Sequence, residues 1–288
     1  MLRLSKFKIH GQEFFGEYRN GKVYPVPECF RENFSSLKNI IENENIKDLK
    51  NNLKKSNKGY SLHEVTLLPP INSGARIFCV GLNYPKKYLA NISIRSMREK
   101  NDMILFSKEK NSLVGSNCPI IVPSGSAKAS LDYEGELGII IGKSGKNIQQ
   151  EDALNHIFAY TIINDGSIRD WQKQSLFAGK NFENTGSCGP CILVNEDKLD
   201  PNNFLLTTKL NGKVVQKEKV ENMIFKCSEI IAYISTILTL NTCDIIATGS
   251  PEGSGISKEP KRFLRNNDFL EIEITNIGTL KNKILNLH

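Results

Sequence analysis

The chain has 288 residues, 39% of them apolar and 24% charged, enough to bury a sizeable core without disulfide help and unlike collagen, coiled-coil or disordered sequences. Its length suits one large domain, or one large and one small. The net charge of +7 comes from scattered lysines, whose densest patches, 47–58 and 108–110, are interrupted by Asn, Asp and Glu; they lack the aromatic-laced stripe of a nucleic-acid footprint, so both patches are expected on a solvated surface.

In chain order, residues 3–10, 13–18 and 22–26 alternate like strands, with Gly11 and Asn20-Gly21 at the turns. Asn-Gly between alternating segments is a strong hairpin signal. Residues 34–53 have a helical period, with Leu37, Ile40, Ile41, Leu49 and Leu53 on one face. Together these predict a small α+β N-terminal domain, 1–70, and Pro69-Pro70 marks its boundary with a β-rich domain over 71–288. There the pattern predicts strands over 77–80, 103–108, 137–141, 159–163, 245–248 and 269–274. It also predicts a short helix over 151–158, a hairpin over 207–215 around Asn211-Gly212, and a helix over 228–240. The run 137–141 is apolar throughout, as in a strand buried on both faces. Many strands, few helices and no regular β-α-β alternation give a mixed α+β, β-rich fold. The longest apolar stretch, 230–240, is interrupted by Ser and Thr and falls short of the roughly 20 residues a membrane span needs. The N-terminus carries charge throughout and lacks a leader's apolar h-region. No membrane or nucleic-acid partner is expected. Seven irregularly spaced cysteines give no disulfide framework, and a reducing, cytoplasmic compartment is expected.

The chemistry concentrates where Asp132-Tyr133-Glu134-Gly135-Glu136 runs into the 137–141 strand. Side chains at i and i+2 of a strand share a face, so Glu134 and Glu136 are expected side by side. Adjacent carboxylates raise each other's pKa unless a hard divalent cation, which takes oxygen ligands, cancels the charge. A bare Glu-x-Glu is more often an exposed edge strand. The second element tips the balance: the apolar strand 159–163 runs into Asn164-Asp165-Gly166-Ser167, and Asp165 at its end completes a three-oxygen site. Mg²⁺ or Mn²⁺ suits such a set, whereas Zn²⁺ prefers His or Cys. Gly179-Lys180 then follows on what reads as a loop.

In this order the segments resemble the fumarylacetoacetate hydrolase (FAH) family. The matching pieces begin with Gly81-Leu82-Asn83-Tyr84, Phe106-Ser107-Lys108, Asp132 to Leu137 and Tyr160 to Asp165. They continue with Ser167-x-Arg169-Asp170-x-Gln172, Gly179-Lys180, Gly189-Pro190, Asn211-Gly212-x-x-x-Gln216, Gly249-Ser250-Pro251 and Ile277-Gly278-Thr279-Leu280. Each is weak alone; the ordered set, over residues 75–285, is specific. The N-terminal unit is similar to that of bacterial 2-hydroxyhepta-2,4-diene-1,7-dioate isomerase-like members. The resemblance implies an FAH-type β-roll in the C-terminal domain and Mg²⁺ or Mn²⁺ on Glu134, Glu136 and Asp165. It implies as substrate a small anionic 2-oxo or 2-hydroxy-dienoic diacid that chelates the metal through a carboxylate and the C2 oxygen. A metal there stabilises an enolate, shared by C–C hydrolysis, decarboxylation and keto–enol tautomerisation. Lys180 matches the family lysine beside the oxyanion. Gln172, Gly249 and Ser250 match positions that line the substrate site. Arg169 falls in the same segment as a substrate-binding candidate, with a structural pairing to Asp170 slightly favoured. A homodimer is implied by analogy only.

One departure bears on the reaction. In the family a His and, three residues on, a Glu follow the Asn-Tyr and activate water; here Lys87 and Ala90 stand in those places. A lysine serves as general base only if its pKa falls by several units from about 10.4. Lys87 is the candidate for holding a distal substrate carboxylate, and isomerisation or decarboxylation is expected ahead of hydrolysis. The alternative is a catalytically weak or inactive metal- and ligand-binding homologue. A third reading, a dithiol oxidoreductase, rests on Cys188-Gly189-Pro190-Cys191. It requires Cys188 at a helix N-terminus, whereas Ile192-Leu193-Val194 reads as strand. His156 is expected to be packed or on the surface, not a base.

Overall fold

A computed structural model of the chain describes residues 1–43, 45–54, 56, 58–71, 73–86, 102–196 and 198–286. Lys87 and Ala90 lie outside the described residues. Among the described residues, twelve strands form one mixed sheet. Arg3–Ile9, Gln12–Arg19 and Lys22–Pro25 pair antiparallel. Their turns, His10-Gly11 and Asn20-Gly21, have positive φ at both residues (49° and 85°, 51° and 70°), the twist-matched geometry of two-residue hairpins. Arg3–Ile9 also pairs with Gly186–Val194. From there the sheet continues through Ile157–Asn164, Gly135–Ile141, Ile245–Ala247, Ile77–Gly81 and Ile104–Ser107. The N-terminal hairpins thus extend the central sheet. A second sheet has five strands, in the spatial order Lys213–Lys219, Leu205–Leu210, Phe269–Ile274, Gly278–Asn286, Ile120–Val122. The architecture is mixed α+β and β-rich, as the strand-heavy pattern predicts.

Gly135–Ile141 is buried at every position because both faces are covered. Leu137, Ile139 and Ile141 pack with Leu206 and Ile272 of the second sheet and with Ile230 and Ile234 of the helix Cys227–Ile237. Ile140 faces the other way, toward Ile163, Ile245 and the N-terminal Ile40, Leu49 and Leu53. The period-two alternation separates the sets, and each fully buried Leu or Ile contributes about 1.5–3 kcal/mol. This two-sided packing anchors the strand whose leading end carries Glu134 and Glu136.

Three expectations change. The single helix over 34–53 is two helices, Leu37–Glu42 and Ile46–Leu53. Asn43 and Asn45, whose side chains compete for backbone hydrogen bonds, sit at the break, and Ser36 caps the first helix through the Asn39 N–H. The helix over 151–158 contracts to one tight turn, Ala153–His156. An additional short helix, Glu28–Asn33, precedes both N-terminal helices. The hairpin at Asn211-Gly212 and the strand Phe269–Ile274 lie where predicted. Among the described residues no helix is long and apolar enough to cross a membrane.

Candidate active site

Glu134 immediately precedes the strand Gly135–Ile141, Glu136 is that strand's second residue, and Asp165 follows the neighbouring strand Ile157–Asn164. Antiparallel pairing of Gly135 with Asn164 brings these ends together. Asn164 Oδ1 accepts the Glu134 N–H at 3.0 Å, and the Asp165 N–H donates to the Glu134 carbonyl at 2.8 Å. One carboxylate oxygen from each of Glu134, Glu136 and Asp165 lies within 4.8 Å of the others, and all three residues are buried.

Among the described residues, four cations surround this triangle. Lys180 donates to both Glu134 Oε2 and Asp165 Oδ2. Lys108 Nζ lies 2.9 Å from Asp165 Oδ1 and donates to the Gly166 and Lys180 carbonyls. Arg169 places Nη2 3.0 Å from Glu134 Oε1 and Nε 2.8 Å from Asp132 Oδ2, and its Nη1 donates to Gln172 Oε1 at 3.1 Å. Lys86 Nζ is 3.6 Å from Glu134 Oε1. Burial opposes charge on Glu134, but Arg169, Lys180 and Lys86 outweigh it and hold the carboxyl well below the usual range. Glu136 goes the other way: burial, then repulsion from Asp165 and Glu134, push it well above that range, while the Gly249 N–H donates to Oε2 at 2.9 Å. Burial also opposes charge on Lys180, but Asp165 and Glu134 prevail and raise it.

The donor set fits a hard divalent cation. All three ligands are oxygens, the chemistry Mg²⁺ and Mn²⁺ prefer. Asp165 Oδ1 is buried and accepts no hydrogen bond among the described residues, its partner Lys108 being an ion pair at 2.9 Å. Among the described residues, the Glu136 carboxyl lacks the direct ion pairs that Glu134 and Asp165 have.

Two glycines make room. Gly179 sits in the short helix Leu176–Lys180, where a Cβ would come within 2.2 Å of Gln172 Cγ; its absence lets that helix press against Gln172 and deliver Lys180. Lys180 therefore ends a helix instead of riding a loop, and it is buried. Gly249, at φ 98°, lies where a Cβ would meet Asn83 Cβ at 2.6 Å. Ser250 is buried beside it, its Oγ 3.4 Å from the Pro251 carbonyl.

Other placements depart from the sequence reading. Arg169 does not pair with Asp170. Consecutive helical residues face apart, so Arg169 turns inward to Asp132 and Glu134 while Asp170 pairs with exposed Lys173 at 3.1 Å. Lys108 is not on a solvated surface: its side chain is 0% exposed, because the strand Ile104–Ser107 pairs with Ile77–Gly81 and leads it into the site. Lys86, adjacent to Lys87, also reaches Glu134. Asp132 is an anchor, accepting the Gly255 and Ile256 N–H groups at 2.7 and 3.0 Å besides Arg169. Cys188 and Cys191 are buried in the strand Gly186–Val194, in different hydrophobic clusters, so they lack the exposed helix end a dithiol enzyme requires. His156 is packed, its Nδ1 2.7 Å from the Lys143 carbonyl.

The fold is β-rich and buries an oxygen-donor triad among cationic side chains. The family model described as the fumarylacetoacetate (FAA) hydrolase C-terminal domain matches residues 76–285. The chain belongs to that family. It is 36% identical over 230 residues to the mitochondrial oxaloacetate tautomerase fahd2 of Xenopus laevis, covering 78% of this chain and 70% of that protein. It is 38% identical over 228 residues to the oxaloacetate tautomerase YisK of Bacillus subtilis, covering 78% and 75%. Among solved structures, a fumarylacetoacetate hydrolase from Exiguobacterium antarcticum superposes with a TM-score of 0.83 at 32% identity over 100% of both chains. A 2-hydroxyhepta-2,4-diene-1,7-dioate isomerase from Mycobacterium marinum gives 0.74 at 26% over 99% of both.

Proposed function

We propose that the chain catalyses keto–enol tautomerisation of a small 2-oxo diacid, with oxaloacetate the first substrate to test. The buried triangle of Glu134, Glu136 and Asp165, with the Lys180 ammonium on its edge, carries the reading. The names of the two tautomerase relatives support the substrate. Tautomerisation moves one proton between C3 and the C2 oxygen, and its barrier falls when negative charge on that oxygen is stabilised. Mg²⁺ or Mn²⁺ held by the three carboxylates would supply a Lewis acid for it. Lys180 adds positive charge beside the same place. Its raised pKa makes it a charge stabiliser, since a general base needs a pKa near the working pH. Gln172 engages Arg169 through Oε1, which leaves its amide N–H groups to bind substrate. Arg169 acts through Glu134 and Gln172 as a positioning residue. Hydrolysis needs a base for water, and the two positions that supply it in the family pattern hold Lys87 and Ala90. Isomerisation is therefore favoured, with decarboxylation next.

The test uses EDTA-stripped protein repleted with Mg²⁺ or Mn²⁺. The ultraviolet absorbance of enol-oxaloacetate should decay faster than in metal-containing buffer alone. Glu136→Ala should abolish both that acceleration and Mn²⁺ binding read by electron paramagnetic resonance; full activity in this variant would sink the assignment. Metal and oxalate binding without faster decay would favour a non-catalytic ligand-binding protein.

A further inference from the structure

Lys86 enters the site from a segment that carries none of the triad, and its approach is fixed. Asn83 donates to the Phe225 and Thr248 carbonyls at 3.0 and 2.7 Å and accepts the Phe225 N–H at 2.7 Å. Its carbonyl accepts the Ile224 N–H at 2.8 Å. Three residues on, the Lys86 side chain is 5% exposed, and among the described residues its one ion-pair partner is Glu134 Oε1 at 3.6 Å. That is outside hydrogen-bond range, so an ammonium with three donors has no acceptor within hydrogen-bond distance among the described residues. Lys180 and Arg169 hold Glu134 at hydrogen-bond distance; Lys86 does not.

Charge balance points the same way. The contacting cations Lys86, Lys108, Arg169 and Lys180 equal in number the carboxylates Asp132, Glu134, Glu136 and Asp165. Among the described residues these charges balance before a metal or a substrate enters, so a divalent cation brings a positive surplus that an anionic ligand offsets.

We propose that Lys86 binds the second carboxylate of a diacid whose other end is held at the triad, and so sets a preference for 2-oxo and 2-hydroxy diacids over monoacids. This rests on the functional reading above. The test measures calorimetric affinities of Mn²⁺-loaded protein for oxalate, which offers only a chelating end, and for malate, which adds a distal carboxylate. Lys86→Met should weaken malate about tenfold or more, because a buried charge partner is lost. Oxalate affinity should fall severalfold less than malate affinity, and Mn²⁺ affinity should not fall, because the variant removes a positive charge 3.6 Å from Glu134. Lys86→Arg, which keeps the charge, should retain malate binding, and circular dichroism reports whether each variant is folded. Equal losses for malate and oxalate, or no loss for either, would overturn the proposal. Wild-type protein that binds Mn²⁺ but neither acid would instead overturn the functional reading, and this proposal with it.

Discussion

Lys108 is the side chain on which the site leans most heavily without exposing any of it. Its ammonium joins Asp165 to the carbonyls of Gly166 and Lys180, so one buried charge fixes the distance between a carboxylate and the lysine beside it. Lys108→Met keeps the length of the side chain and removes the charge. Breaking a buried ion pair from one side costs about 3–5 kcal/mol. The urea midpoint should fall accordingly, with turnover falling as well; an unchanged midpoint would show that Asp165 does not depend on Lys108. The carboxylates themselves are legible in sequence, because i and i+2 on a strand share a face whatever the rest of the chain does. The burial of the cations is not. A lysine is buried by what packs over it, and Lys108 lies in a run of charge that reads locally as surface. Arg169 is half-legible: its segment is recognisable, but its partners Asp132 and Glu134 lie more than thirty residues earlier.

At the scale of the element, the strand Gly186–Val194 settles what Cys-x-x-Cys means here. Residues three apart on a strand face opposite ways, and Cys188 and Cys191 lie in the two different cores. Burial pushes each thiol up to about 12. A raised thiol pKa keeps the group protonated and unreactive until pH approaches that value, since the thiolate is the nucleophile. At pH 8, Ellman's reagent should therefore modify exposed Cys29 promptly in folded protein and reach Cys188 and Cys191 only after denaturation. Prompt reaction of both with formation of a disulfide would restore the dithiol reading. The strand Gly278–Asn286 shows why some elements escape the sequence. Its inward face reads Leu280, Asn282, Ile284, and the Asn breaks the apolar alternation. Asn282 is nonetheless buried because its amide donates to the Gly115 and Cys118 carbonyls at 3.0 and 2.8 Å. The Asn-Gly hairpins are legible for the opposite reason: a positive-φ turn is specified by the two residues that make it.

At the scale of the whole molecule, the triad exists only when the chain is folded. Gly135 must pair with Asn164 for Glu134, Glu136 and Asp165 to meet, and the cations arrive from Lys86, Lys108, Arg169 and Lys180 on separate segments. Anything that binds this constellation binds the native state and not the unfolded one, and so stabilises the protein by mass action. A ligand at a hundred times its dissociation constant adds about 2.7 kcal/mol, a rise of several degrees in Tm for a chain of this size. EDTA-stripped protein should therefore melt later with Mg²⁺ or Mn²⁺ and later again when oxalate is added, while oxalate without metal should shift Tm little. A shift with metal alone would mean an intact cation site beside an altered acid pocket, and would weaken the tautomerase reading while leaving the triad standing. No shift with metal, alone or with oxalate, would mean that the surrounding lysines and arginine already satisfy Glu134 and Asp165 while Glu136 stays protonated. The ring of cations would then be a substitute for the metal rather than its complement.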